Sequence, residues 1–242
     1  MRLEGKTAIV TGGGSGFGAG IVRKFAAEGA QVIVADINKG AAEAVAEEYG
    51  GTAAQVDVSD ADSMAALAEA HGAPDILVNN AGITHLPKPM EEVTEEEFDR
   101  VLAVNAKSVY LSARVFVPAM KARGSGAILN IASTAGVSPR PKLNWYNASK
   151  GWMITATKAM AVELAPFGIR VNALNPVAGE TPLLASFMGE DTPEMRAKFL
   201  ATIPLGRFSQ PEDLGNAAAF LCSDEASMIT GVAMEVDGGR CI

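Results

Sequence analysis

The sequence predicts a doubly wound α/β fold, about seven parallel strands flanked by helices on both faces. Short β-branched apolar runs alternate with longer helical patterns along the 242 residues. Most of those runs are apolar throughout, as strands buried on both sides must be. A cluster of glycines falls between the first run and the first helical stretch. Alternation of this kind implies parallel pairing through right-handed crossovers.

The elements follow in order. Thr7–Thr11 reads as the first strand, and the helical stretch after the glycines includes Ile21–Glu28. Gln31–Ala35 is the second strand, with a helix over 39–49. Further strands are expected at 53–56, 75–79, 126–132, 169–174 and 233–236. Thr94-Glu95-Glu96-Glu97 and Ser209-Gln210-Pro211-Glu212 both match a capping box. They predict helices running to about Lys121 and through Leu221. Residues 177–208 are less regular and read as an insertion over the sheet edge. With no repeat and no low-complexity linker, a single domain over 1–242 is the economical expectation.

Composition narrows the function. The formal charge is −8, from 28 acidic and 20 basic residues, with no basic stripe, which argues against nucleic acid as a partner. Cys222 and Cys241 have no metal-site or redox spacing and read as free thiols, with no metal expected. Met1–Lys6 has no apolar core and no apolar run reaches membrane-spanning length. The expectation is a soluble, cytoplasmic protein.

Two motifs carry chemistry. Thr11-Gly12-Gly13-Gly14-Ser15-Gly16-Phe17-Gly18 could let a pyrophosphate reach the unpaired N–H groups of a helix N-terminus. The G-x-G-x-x-G spacing is absent, and Gly12, Gly16 and Gly18 are the glycines that fit a helix-opening turn. Asp36 ends the second strand, where an acidic residue accepts hydrogen bonds from adenosine ribose hydroxyls. It would repel a 2′-phosphate, and the next basic residue is only Lys39, so NAD is favoured over NADP. Tyr146 and Lys150 stand at i and i+4 and share a face if helical. A phenol is a poor base near neutrality, and an adjacent ammonium favours its phenolate.

With these motifs in order, the chain resembles the short-chain dehydrogenase/reductase family over essentially its whole length. Thr11-Gly12-x-x-x-Gly16-x-Gly18 is similar to the family's cofactor loop. Asp57-Val58 matches its adenine-contacting position, and Asn79-Asn80-Ala81-Gly82 the segment supporting the central sheet. Asn105, Ser133, Tyr146 and Lys150 fall at its four catalytic positions, with Ser133 13 residues before Tyr146. The resemblance implies a single-domain Rossmann-type fold and an oxidoreductase that interconverts a secondary alcohol and a ketone with NAD. Tyr146 would be the acid/base, and Ser133 would bond the substrate oxygen. Lys150 would tune the tyrosine and hold the nicotinamide ribose, and Asn105 would hold a relay water. Ser15, Phe17 and Ile37 join the glycines and Asp36 as implied cofactor contacts, as do Asn80, Ala81 and Gly82 beside the central strand. Pro176, Val177 and Thr181, with Tyr146 and Lys150 themselves, complete that set. Pro176-Val177 departs from the family's usual Pro-Gly, which leaves the loop path open, whereas Thr181-Pro182 matches.

The substrate is less legible. His85, Ala135, Trp145, Leu183, Phe187 and Met188 are candidates for its pocket. Arg140 and Lys142 read either as exposed loop cations or as attractors of an acidic or phosphorylated substrate. A sugar, polyol or cyclic or aromatic alcohol is one class, and a 3-oxoacyl thioester on acyl carrier protein is the alternative. A non-catalytic NAD(H) sensor is the reading from a different class. The resemblance further implies a homotetramer.

Overall fold

The computed structural model describes residues 1–242. Seven strands form one all-parallel sheet in the order β3-β2-β1-β4-β5-β6-β7. They are β1 (Thr7–Thr11), β2 (Gln31–Asp36), β3 (Thr52–Gln55), β4 (Ile76–Asn79), β5 (Gly126–Ile131), β6 (Ile169–Pro176) and β7 (Ala233–Val236). All seven expected strands are present, with ends shifted by no more than two residues. The chain winds outward from β1 to β3, then returns to lay β4 on the other side of β1. That reversal opens a crevice at the carboxyl ends of the strands, where such sheets bind ligands.

Alternation within each strand feeds two cores. Ala8, Val10, Val32 and Val34 face α1 (Gly16–Ala27) and α9 (Pro211–Cys222), against Ile21, Phe25, Leu214 and Ala218. Ile9, Ile33 and Leu77 face the other way. There they meet α3 (Ala61–His71), α5 (Ser108–Arg123) and α6 (Asn144–Leu164) through Met64, Phe116, Met120 and Leu164. Helix α2 (Lys39–Tyr49) opens where the Asn38 Oδ1 accepts from the Ala41 N–H at 3.1 Å, and it covers β2 and β3 beside α1.

Three expectations change in detail. The Thr94 cap forms as read: its hydroxyl accepts from the Glu97 N–H at 3.2 Å, and the Glu97 carboxylate accepts from the Thr94 N–H at 2.9 Å. The helix it opens runs on to Arg123 as expected, but it is not regular α throughout. After α4 (Glu95–Leu102) the chain widens into a π turn over Ala103–Lys107 before α5 begins. The second cap belongs to Gln210 rather than Ser209. Pro211 takes the first helical position, so the Gln210 N–H donates to Asp213 at 2.8 Å, while the Ser209 hydroxyl bonds the Val236 carbonyl. The 177–208 segment carries α7 (Leu184–Met188) and α8 (Pro193–Leu200). It has a small core of its own, in which Val177 packs with Leu184, Met188, Ile203 and Phe208. The valine that departs from the family's glycine is thus an anchor for this cover. No helix is long and apolar enough to cross a membrane.

Candidate active site

A cavity of about 550 Å³ runs along the carboxyl ends of β1 to β6. At its centre the chain leaves β1 through a turn in which Gly12 and Gly16 hold positive φ (62° and 52°). Gly18 opens α1 so close to that turn that a Cβ on it would lie 2.0 Å from the Gly12 oxygen. Asn80 locks the turn, its amide donating to the carbonyls of Thr11 and Gly12 at 2.9 and 3.0 Å. The Thr11 hydroxyl in turn accepts from the N–H groups of Asn80 and Ala81. A bare backbone at a helix start suits a phosphate.

One end of the cavity is acidic and open. Asp36 accepts from the Gly14 and Asn38 N–H groups at 3.0 and 2.9 Å, which fixes its carboxylate at the wall. Ile37 beside it is 65% exposed, an apolar surface available to a flat ring. Asp57 and Val58 complete that end, with Asp57 held by the Ser59 N–H and hydroxyl. All seventeen residues expected to contact the cofactor line this one cavity.

The other end is drier. Tyr146 and Lys150 lie on α6, each only 4% exposed, and Ser133 ends the loop after β5 at 8%. The Lys150 Nζ donates to the Ile131 carbonyl at 2.8 Å and stands 6.0 Å from the centre of the Tyr146 ring. The Ser133 Oγ accepts from the Ala135 N–H at 3.0 Å, which turns its own proton toward the Tyr146 phenol and any oxygen bound beside it. Burial pushes the Tyr146 phenol up to about 12, with the neighbouring Ser133 hydroxyl pulling it back. Burial pushes Lys150 down to about 8. Opposite shifts on neighbouring groups are what a dry site does to an acid and a cation.

Asn105 is fully buried in the π turn and does not reach the cavity wall. Its amide donates to the Ile83 carbonyl and the Ser149 hydroxyl and accepts from the Ile83 N–H, at 2.9, 3.0 and 2.9 Å. A π turn at a functional site re-aims one side chain, here onto the loop after β4. Gly82 lies between the groups: a Cβ there would be 3.3 Å from the Lys150 Nζ and 3.5 Å from the Asn105 Oδ1.

Of the candidate substrate residues, Ala135, Leu183 and Phe187 line the cavity. Phe187 meets the Tyr146 ring edge-on at 5.1 Å. The other three lie off the wall. His85 is buried with Nδ1 against the Leu86 carbonyl, Trp145 packs edge-on to Phe98, and Met188 belongs to the small core. Arg140 lines the cavity and Lys142 is exposed outside it. No sequence signal marks Ile83 and Ile131, which act through main-chain atoms, or Asn147 and Phe199, which lack any motif.

The glycine turn, the Asp36 carboxylate and the buried tyrosine–lysine pair meet at one switch-point crevice, an arrangement suited to an oxidoreductase that uses a nicotinamide cofactor on CH–OH groups. Residues 12–240 match the protein family described as enoyl-(acyl carrier protein) reductase. A 4-formylbenzenesulfonate dehydrogenase of Comamonas testosteroni is 51% identical, with all of both chains covered. A 2,5-dichloro-2,5-cyclohexadiene-1,4-diol dehydrogenase of Sphingobium indicum is 38% identical over 98% of this chain and 97% of its own. The crystal structure of a 3-ketoacyl-(acyl-carrier-protein) reductase from Brucella melitensis, complexed with NADH, superposes with a TM-score of 0.94 at 53% identity. That match covers 99% of this chain and 100% of the other. The chain belongs to the short-chain dehydrogenase/reductase family.

Proposed function

We propose that this protein is an NAD(H)-dependent dehydrogenase interconverting a secondary alcohol and its ketone, with Tyr146 as acid/base. The observation that carries the reading is that Ser133, Tyr146 and Lys150 share one dry wall of the cavity that the glycine turn opens onto. NAD rather than NADP is supported by the fixed Asp36 carboxylate, since Lys39 turns to Glu43 at 3.6 Å instead of toward a 2′-phosphate site. The NADH bound by the Brucella relative agrees with that choice.

The residues of the glycine turn and Lys150 would hold a nicotinamide cofactor, which would supply the hydride acceptor or donor for the carbinol carbon. Tyr146 takes the hydroxyl proton in oxidation and gives it back in reduction. Ser133 donates its own proton to the substrate oxygen. Lys150 has two N–H bonds beyond the one to Ile131, enough for a ribose hydroxyl and a relay water. Its charge beside the Tyr146 ring favours the phenolate over the phenol. Asn105 holds the Gly82–Ile83 backbone, and the second lone pair of its Oδ1 is where it could hold that water.

Among alcohols, a cyclic or aromatic one is favoured over a sugar or polyol. Ala135, Leu143, Leu183, Phe187 and Phe199 make the substrate end largely apolar. The relatives acting on a formylbenzenesulfonate and a cyclohexadienediol point the same way. A second reading, reduction of a 3-oxoacyl thioester, is favoured by the Brucella relative's activity. The same reading makes the protein a cytoplasmic homotetramer, for which the exposed Tyr110, Trp152 and Val162 on α5 and α6 offer an apolar face. The test is NADH formation from a panel of polyols, cyclic and aromatic alcohols and 3-hydroxyacyl thioesters, with NAD and NADP in parallel. Turnover with NAD that disappears in Tyr146→Phe supports the proposal. Unchanged turnover in that variant, or none except with NADP, overturns it.

A further inference from the structure

The substrate end holds a charge that the proposed reaction does not use. Arg140 lines the cavity, and its guanidinium lies against the Phe199 ring at 4.3 Å and makes one hydrogen bond, to the Thr202 hydroxyl at 2.9 Å. Behind it, Arg240 donates to the hydroxyl of Ser138, which also lines the cavity, at 3.1 Å. The Arg240 Nε is buried without a partner.

Neither arginine has a carboxylate. The nearest acid in sequence, Asp237, spends its two oxygens on the N–H groups of Gly239 and Cys241. The other half-buried arginines are compensated. Arg170 donates to the carbonyls of Leu221, Ile229 and Ser223, and Arg196 pairs with Asp191 and Glu180. In a chain of net charge −8, two uncompensated guanidinium groups have been brought together at one spot. Burial, and after it the repulsion of Arg240, push Arg140 below its usual range, and an oxyanion beside the two would offset both with opposite charge.

We propose that Arg140, with Arg240 behind it, is a seat for an oxyanion, and that the preferred substrate is a ring alcohol or ketone bearing a carboxylate or sulfonate. The substrate class rests on the dehydrogenase reading above; the seat itself does not. Arginine's planar fork matches both anions. The stacking on Phe199 restricts where that fork can point. The Asn147 amide donates to the Arg140 carbonyl at 2.7 Å, which ties the arginine's backbone to α6 one residue past Tyr146. The anion and the reacting carbon are therefore held in a fixed relation, with Leu143 and Phe187 supplying apolar walls for a ring.

The experiment compares the meta and para isomers of 1-hydroxyethylbenzoate and 1-hydroxyethylbenzenesulfonate with the matching carboxamides, using NAD. The best anionic isomer should exceed its carboxamide in kcat/KM by about 30-fold, the worth of a charge-assisted pair. Arg140→Gln should bring that ratio close to one through KM, leaving the carboxamide's constants within about twofold. Arg240→Gln, which leaves the cavity wall intact, should lower the ratio in part. Calorimetric titration of the NADH-loaded protein with benzoate, benzenesulfonate and benzamide reads the seat without turnover. Carboxamides oxidised as well as the anions, with both arginine variants unchanged, would overturn the seat and leave the dehydrogenase reading standing. Benzoate binding that depends on Arg140, with no alcohol oxidised, would support the seat and overturn the reaction.

Discussion

Lys150→Met is expected to make the protein more stable and almost inactive. Burial lowers the lysine from 10.5 to about 8. At 1.36 kcal/mol per unit this is about 3 kcal/mol against the folded state wherever both states carry the charge. Below pH 8 that penalty is complete. Between pH 8 and 10.5 the folded protein sheds a proton that the unfolded chain keeps, so stability rises with pH. Above 10.5 both are neutral and the penalty is gone. Methionine keeps the length and removes the charge, but it leaves the Ile131 carbonyl without its donor, which costs about 1–2 kcal/mol. The net gain is about 1–2 kcal/mol, or a rise in Tm of several degrees at pH 7 for a chain of this size. Losing the cation beside the Tyr146 ring removes its support for the phenolate, so kcat/KM falls by about a hundredfold or more, the usual worth of an acid/base group. Melting curves from pH 7 to 10.5, with and without the substitution, read the first effect, and initial rates read the second. A lower Tm for the variant at pH 7, or a wild-type stability that falls between pH 8 and 10, would refute the argument that burial sets the lysine's state.

Other outcomes follow from the same geometry. Gly18→Ala puts a Cβ into the Gly12 carbonyl, so the turn must shift; NADH affinity by fluorescence titration should fall at least tenfold, with about 1–3 kcal/mol of stability lost in denaturant melts. Asp36→Ala removes the repulsion of a 2′-phosphate together with the acceptor for Gly14, and the NAD to NADP ratio of kcat/KM should drop by about tenfold or more. Tyr146→Phe should abolish turnover while NADH affinity stays within about threefold, because the phenol oxygen serves the substrate. Gly82→Ala presses between Lys150 and Asn105 and should lower kcat more than it raises KM for NAD.

The sheet was legible because its strands are buried on both faces, which turns them into uninterrupted apolar runs such as Ile33–Ala35 and Ile76–Val78. The glycine turn was legible for a related reason: where backbones approach as closely as Gly18 and Gly12 do, only glycine fits, so residue type reports the geometry. The π turn was not. Thr94 to Arg123 reads as one helix, and what interrupts it is Asn105 bonding both polar atoms of Ile83, a main-chain partner 22 residues away that no residue type announces. His85 misled for the converse reason. A histidine after the Asn-Asn-Ala-Gly segment suggests a substrate contact, but the loop turns it inward, with Nδ1 against the Leu86 carbonyl.

The substrate end fails to show in the sequence because it is assembled from pieces remote from each other. Ser138 and Arg140 come from the loop after β5, Phe199 and Thr202 from the end of α8, and Arg240 from the turn after β7. Each piece taken alone reads as an ordinary loop: a cation, an aromatic, a residue near the last strand. Only the shared carboxyl edge of the sheet makes them neighbours, and β7, outermost beside β6, carries Arg240 to that edge. The catalytic end is different, since Tyr146 and Lys150 share one helix and Ser133 follows the adjacent strand. A fold that keeps its chemistry on rigid elements and its selectivity on three separate loops can change substrate without disturbing proton transfer. Relatives acting on a sulfonated aromatic, a chlorinated diol and a ketoacyl chain fit that division of labour.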